Sequence, residues 1–154
     1  MYNMEDQKII ETSKLNNFLK KLGIEIYGIA DMTLLKEMVT GVPIYLEKFI
    51  NIFPYAIVLG AQYGKLGRKA SGNDVALFLE ETAFQVMDYL ENKGNRYLII
   101  HTEDEFDPIN RLGFMSLKAL AKVAGLGWQG KSLLIINPDY GPLHRLIAIL
   151  TDLH

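Results

Sequence analysis

The run Ala56-Ile-Val-Leu-Gly-Ala61 constrains this chain more than any other stretch. It is short, continuously apolar and bounded by Pro54 and Gly64, the pattern of a strand buried on both faces. Such a strand sits in the middle of a sheet, and the sheet then needs helices to cover it. The flanking sequence supplies them. Leu15, Phe18, Leu19 and Leu22 fall at i, i+3, i+4 and i+7, so a first helix is expected from about Asp6 to Leu22, stopped by Gly23. A longer helix is expected from about Asn73 to Lys93. Its Ala76, Leu79, Ala83, Val86 and Leu90 share one face, and Gly94 lies just past its end.

Shorter pieces fill the intervals. Ile24, Ile26 and Gly28-Ile29-Ala30 read as a strand, after which Asp31 or Thr33 caps a brief helix. Pro43 and Pro54 bracket another short helical piece. Gly64 to Gly72 concentrates glycine and charge and reads as a mobile, solvated loop. Tyr97-Leu-Ile-Ile100 is a strand, followed by the polar stretch His101 to Pro108. Helical spacing returns at Leu117, Leu120, Ala121 and Ala124 and breaks at Gly125. Leu133–Ile136 and Leu143–Leu150 read as two apolar strands joined across the turn formers of Asn137 to Pro142. The expected architecture is α+β, one domain over residues 1–154, with a mixed, mainly antiparallel sheet flanked by helices. A chain of 154 residues suffices for one such core.

Charge and composition narrow the function. The formal net charge is -2 with both signs scattered, so no strong field for nucleic acid or anionic membrane is evident. The chain has no cysteine, which removes disulfides, thiolate zinc sites, a cysteine nucleophile and any iron–sulfur cluster held by its own thiolates. His101, His144 and His154 form no i, i+4 metal pair; His144, among apolar residues, reads as a hydrogen-bonded structural residue or one that faces a cofactor. Met1-Tyr-Asn-Met-Glu-Asp6 lacks a signal-peptide pattern. No apolar run approaches the roughly 20 residues that span a bilayer, so the cytoplasm is the expected compartment and no membrane partner is expected.

The stretch Gly125-Leu-Gly-Trp-Gln-Gly-Lys-Ser132 matches both the dinucleotide fingerprint G-x-G-x-x-G and the phosphate loop G-x-x-x-x-G-K-[ST]. Both motifs work by leading a strand into a glycine turn that opens a helix, whose free N–H groups and positive dipole end face the phosphates. Here a helical segment precedes the glycines and a branched, apolar strand follows. The loop should therefore lie at a carbonyl-rich helix C-terminus, which disfavours phosphate, and an ATP- or GTP-binding role rests on the pattern alone. Two readings remain. Either Gly125 or Gly127 ends the helix in a left-handed conformation, with Trp128 covering the core edge, or the loop meets a ligand directly.

The segment Lys118 to Pro142, continuing to Leu150-Thr-Asp-Leu153, resembles the region just before the ferredoxin-like part of epoxyqueuosine reductases and related double-cluster proteins. Phe53-Pro-Tyr-Ala-Ile-Val-Leu-Gly60 resembles an earlier strand of that family. The resemblance implies a cobalamin-binding domain distantly similar in fold to flavin nitroreductases. It also implies a following part whose cysteines hold two four-iron four-sulfur clusters that feed electrons to the corrinoid. This chain stops at His154, where that part would begin, so an iron–sulfur part or subunit is the expected partner and the chain is not expected to act alone. Epoxyqueuosine reductases place a general-acid aspartate about fourteen residues before the first glycine of the motif. That register falls on Arg111; nearby Asp107 reads as a turn residue before Pro108. The departure sets the chain nearer to the uncharacterised double-cluster relatives, and a tRNA substrate is not expected.

Within this resemblance, Gly125, Gly127, Gly130, Lys131 and Ser132 would meet the amide side chains of the corrinoid, Trp128 would pack beside them, and Tyr140 and Arg145 are further candidates. The competing expectation is a non-catalytic interaction module on the same scaffold that binds no cofactor and forms a homodimer through exposed apolar surface. The missing cysteines and aspartate favour that alternative.

Overall fold

The computed structural model describes residues 4–34, 48, 50–61, 72–100, 117–129, 135–137, 141–143 and 145–152. The framework is a four-stranded sheet. Strand β1 (Ile26–Asp31) pairs with β2 (Tyr55–Ala61), β2 pairs with β7 (Arg145–Thr151), and β7 pairs with β3 (Tyr97–Ile100). Each of these ladders is antiparallel. The apolar run Ala56–Ala61 is thus part of an interior strand, and every one of its residues is buried.

Period-two alternation divides the sheet into two cores. On one face Ile57, Leu59, Ile147 and Ile149 pack against helix α1 (Met4–Lys21) and helix α2 (Gly72–Asn92) through Leu15, Leu19, Leu79, Ala83, Val86 and Leu90. On the other face Ile26, Ala30, Ala56, Val58, Leu146, Ala148 and Leu150 pack against helix α3 (Leu117–Val123) through Leu120 and Ala121. The first face is built from branched, bulky residues; the second carries several alanines, and Gly28 lies on it. The long helices cover the bulky side, and the short helix settles close to the backbone on the side of small residues.

The two long helices meet where Phe18 stacks on Tyr89, with ring centroids 4.4 Å apart, and the Lys93 Nζ lies 4.7 Å from the centroid of the Tyr89 ring. Thr82, buried on α2, donates its hydroxyl to the Phe78 carbonyl at 2.8 Å, which satisfies the group within its own helix. The backbone N–H of Met32 reaches the Pro54 carbonyl at 2.8 Å and fastens the end of β1 to the start of β2. Asp31 accepts bonds from both the N–H and the hydroxyl of Thr33, so of the two capping candidates it is Asp31 that caps.

A smaller three-stranded antiparallel sheet joins β4 (Trp128–Gln129), β5 (Ile135–Asn137) and β6 (Gly141–Leu143). This corrects one expectation. The apolar stretch from Leu143 to Leu150 is not one strand: Leu143 ends β6 in the small sheet, and Arg145 opens β7 in the large one. The stretches Gly64–Ser71 and His101–Pro108 lie outside the described residues. No helix among the described residues is long and apolar enough to cross a membrane.

Candidate functional site

The candidate site grows from the end of α3. Leu126 N–H donates to the Ala121 carbonyl at 3.0 Å and Gly125 N–H donates to the Lys122 carbonyl at 3.0 Å. These are the paired bonds of a Schellman termination, and Gly125 takes the left-handed position with φ of 78°. Leu126, buried, closes the motif by packing into the same cluster as Ala121. Of the two glycines that could end the helix, Gly125 does so. Lys122 in the last turn complements the negative end of the helix dipole.

The turn sits on β1. A Cβ built on Gly28 would lie 2.6 Å from the Ala124 carbonyl oxygen and 3.2 Å from Leu126 Cδ2, so the inner side of the turn is filled by the chain itself. The outer side is different. Gly125 is exposed, and a Cβ there would meet nothing within 4 Å among the described residues. The chain then passes through half-buried Gly127 into β4, where Trp128 pairs with Ile136 and Gln129 with Ile135. Helix α3 also touches β4 and β5, so turn and small sheet form one contiguous edge.

The order helix, glycine turn, strand is the reverse of what a phosphate loop or dinucleotide fingerprint requires. The carbonyl end of α3, not a free N–H end, delivers the chain into the glycines. Of the residues proposed from sequence, the structure brings Gly125, Gly127 and Trp128 together along this edge. Arg145 opens β7 opposite Ala61 in the main sheet, apart from the ladder that holds Trp128. Gly130, Lys131, Ser132 and Tyr140 lie outside the described residues, as do His101, His144 and His154. Among the described residues no cluster of His, Asp or Glu could hold a metal ion.

Gly28, an ordinary strand member by its sequence, is a further residue that shapes this site. A glycine inside an apolar strand is itself a signal of close backbone approach, and here the approaching backbone is Ala124.

The chain resembles one group of solved structures. No protein-family model matches it, and neither does any curated protein. A selenomethionine-labelled epoxyqueuosine reductase shares its fold with a TM-score of 0.63 at 17% identity, over 95% of this chain and 46% of the other. The same values hold for an epoxyqueuosine reductase bound to a tRNA-Tyr epoxyqueuosine-modified stem loop. They hold again for the Bacillus subtilis epoxyqueuosine reductase with its catalytic loop swung out of the active site. The chain therefore has the α+β fold of part of these reductases and spans about half of their length, 46%.

A chain without cysteine offers no thiolate to an iron–sulfur cluster, so clusters do not fit these residues. At Gly125 the backbone is exposed, with no heavy atom of the described residues within 4 Å of where a Cβ would stand.

Proposed function

We propose that the chain is a corrinoid-binding redox module of the epoxyqueuosine reductase type, which works together with a part that carries iron–sulfur clusters. The observation that carries this reading is the shared fold over 95% of the chain. The open outer side of the Gly125 turn supports it as a place for the ligand. A corrinoid, when bound, supplies a cobalt centre that takes up and delivers electrons. The chain's own contribution is to bind and orient. Gly125, Gly127 and Gly130 would offer backbone groups to the amide side chains, Lys131 and Ser132 polar contacts, and Trp128 an apolar flank; Tyr140 and Arg145 are further candidate contacts. The electron source must be a separate part, because no cysteine is available here. A tRNA ligand is not included, since a net charge of -2 gives no basic field for a phosphate backbone.

Titration with cob(II)alamin tests the reading, followed by the visible spectrum and by the fluorescence of Trp128, the single tryptophan. The expected result is a saturable change in both signals, weakened about tenfold or more in Gly127→Val, where a branched side chain crowds the approach of a ligand to the backbone. No change in either signal with cob(II)alamin far in excess of protein would overturn the proposal.

A further inference from the structure

Helix α2 is acidic throughout: Asp74, Glu80, Glu81, Asp88 and Glu91 lie within Gly72–Asn92, and the helix has no lysine or arginine. Its core side is accounted for by Leu79, Ala83, Val86 and Leu90. On the opposite side stand two large apolar residues, Leu77 at 54% exposure and Phe84 at 53%. Seven residues apart, they lie on one line along the helix, two turns from each other. Helical spacing places Glu81 and Asp88 along one flank of that line and Glu80 and Glu91 along the other. Glu81, Asp88 and Glu91 are themselves exposed. Single exposed apolar residues need no explanation, but a bordered pair on one line of a helix does.

The charge pattern selects the occupant. A second copy meeting this face with its own α2 would set acid against acid. The basic side of α1, with exposed Lys14, Lys20 and Lys21, has no large exposed apolar residue among its described side chains to offer in return. Nucleic acid and anionic lipid are repelled by the same carboxylates. A polypeptide that brings apolar side chains for Leu77 and Phe84 and a cationic border for the acids complements this face in both respects. Tyr97 lies beside two of these acids: the Glu91 carboxylate, then burial, its hydrogen bond to Glu91 and the Asp88 charge all raise its hydroxyl above the ordinary value.

We propose that the solvent face of α2, centred on Leu77 and Phe84, is a docking surface for a basic amphipathic segment of a partner protein. It lies across the sheet from the Gly125 turn, on the α1–α2 side, and is independent of corrinoid binding.

The probe is a fluorescein-labelled synthetic helix with leucines at i, i+3, i+4 and i+7 and lysines on the flanking positions, titrated with the full chain and read by anisotropy. A matched helix with glutamates in place of the lysines serves as control. The expected result is saturable binding of the lysine helix only. Phe84→Ser should weaken it about tenfold, as loss of a central anchor does. The pair Glu81→Lys with Asp88→Lys should weaken it by at least as much and flatten its dependence on salt. Thermal melts of the variants should match the parent because these positions face solvent; if Phe84→Ser melts early, Leu77→Ser takes its place. Equal binding to parent and variants, or equal binding of the glutamate helix, would overturn the proposal. So would self-association of the parent in sedimentation that is lost in Phe84→Ser, since a second copy would then be the occupant.

Discussion

The α-carbon of Gly28 faces the carbonyl of Ala124 so closely that a Cβ on the glycine would lie 2.6 Å from that oxygen and 3.1 Å from the Ala124 Cβ. No real Cβ tolerates the first distance, so β1 and the end of α3 owe their spacing to a missing side chain. Gly28→Ala should therefore destabilise the fold by about 1–3 kcal/mol, the usual range for overpacking, and Gly28→Val by more. Urea unfolding checks the size. An amide chemical-shift map should place the largest perturbations at Ala124 to Leu126; a neutral Gly28→Ala would contradict the packing described.

Gly125 differs in kind. It has a φ of 78° and open space where a Cβ would stand, so Gly125→Ala should cost only backbone strain, about 1–2 kcal/mol. Gly94, with the same φ of 78° and the same open surroundings at the end of α2, should lose a similar amount in Gly94→Ala. Asparagine should be tolerated better than alanine at both positions. Chemical denaturation of the four variants decides this, and a much larger loss at Gly125 alone would mean that the turn carries contacts beyond its backbone conformation.

The Tyr89 hydroxyl is buried without a hydrogen-bond partner among the described residues, while the ring stacks on Phe18. Tyr89→Phe keeps the stack and removes the unsatisfied group. Stability should be unchanged or rise by up to about 1 kcal/mol. A clear loss in a calorimetric melt would show that the hydroxyl is satisfied in solution.

Tyr97 gives the fold an alkaline sensitivity. Its hydroxyl donates to Glu91 Oε2 at 3.3 Å, and the Glu91 charge is the largest cause of its raised pKa. The neutral hydroxyl is therefore favoured by the folded state. The stability this gives is present in full below the ordinary value of 10 and is lost as pH rises from there through the folded-state value. Melts between pH 9 and 12 should show a decline that is shallower in Tyr97→Phe and in Glu91→Gln; identical slopes would remove the coupling.

Much of this architecture was legible from local chemistry. Tyr97–Ile100 was read to the residue, Ala56–Ala61 was placed inside the sheet, and the stops at Gly23, Gly94 and Gly125 all take positive φ. Apolar runs and glycine stops are written into the segments that use them. The division between Leu143 and Arg145 was not legible, because its one mark in the sequence, the polar pair His144-Arg145, does not by itself distinguish a change of sheet from a polar interruption within one strand. The role of Gly28 was hidden for a related reason: its partner, Ala124, lies 96 residues further along the chain. At the candidate site, the reversal of strand and helix around the glycines could be read in advance from the branched residues that follow them.

Strand β7 sits between β2 and β3, yet it follows both in the chain by a long interval. Until residues 145–151 leave the ribosome, β1–β2 and β3 have no shared neighbour to hydrogen-bond, and the apolar rows of Ala56–Ala61 and Tyr97–Ile100 stay uncovered. Assembly must then wait for a pairing that spans most of the sequence, which is the slow kind of loop closure. The nascent polypeptide is accordingly exposed to aggregation until residues 145–151 have emerged, and that is the interval in which a chaperone has the most surface to hold.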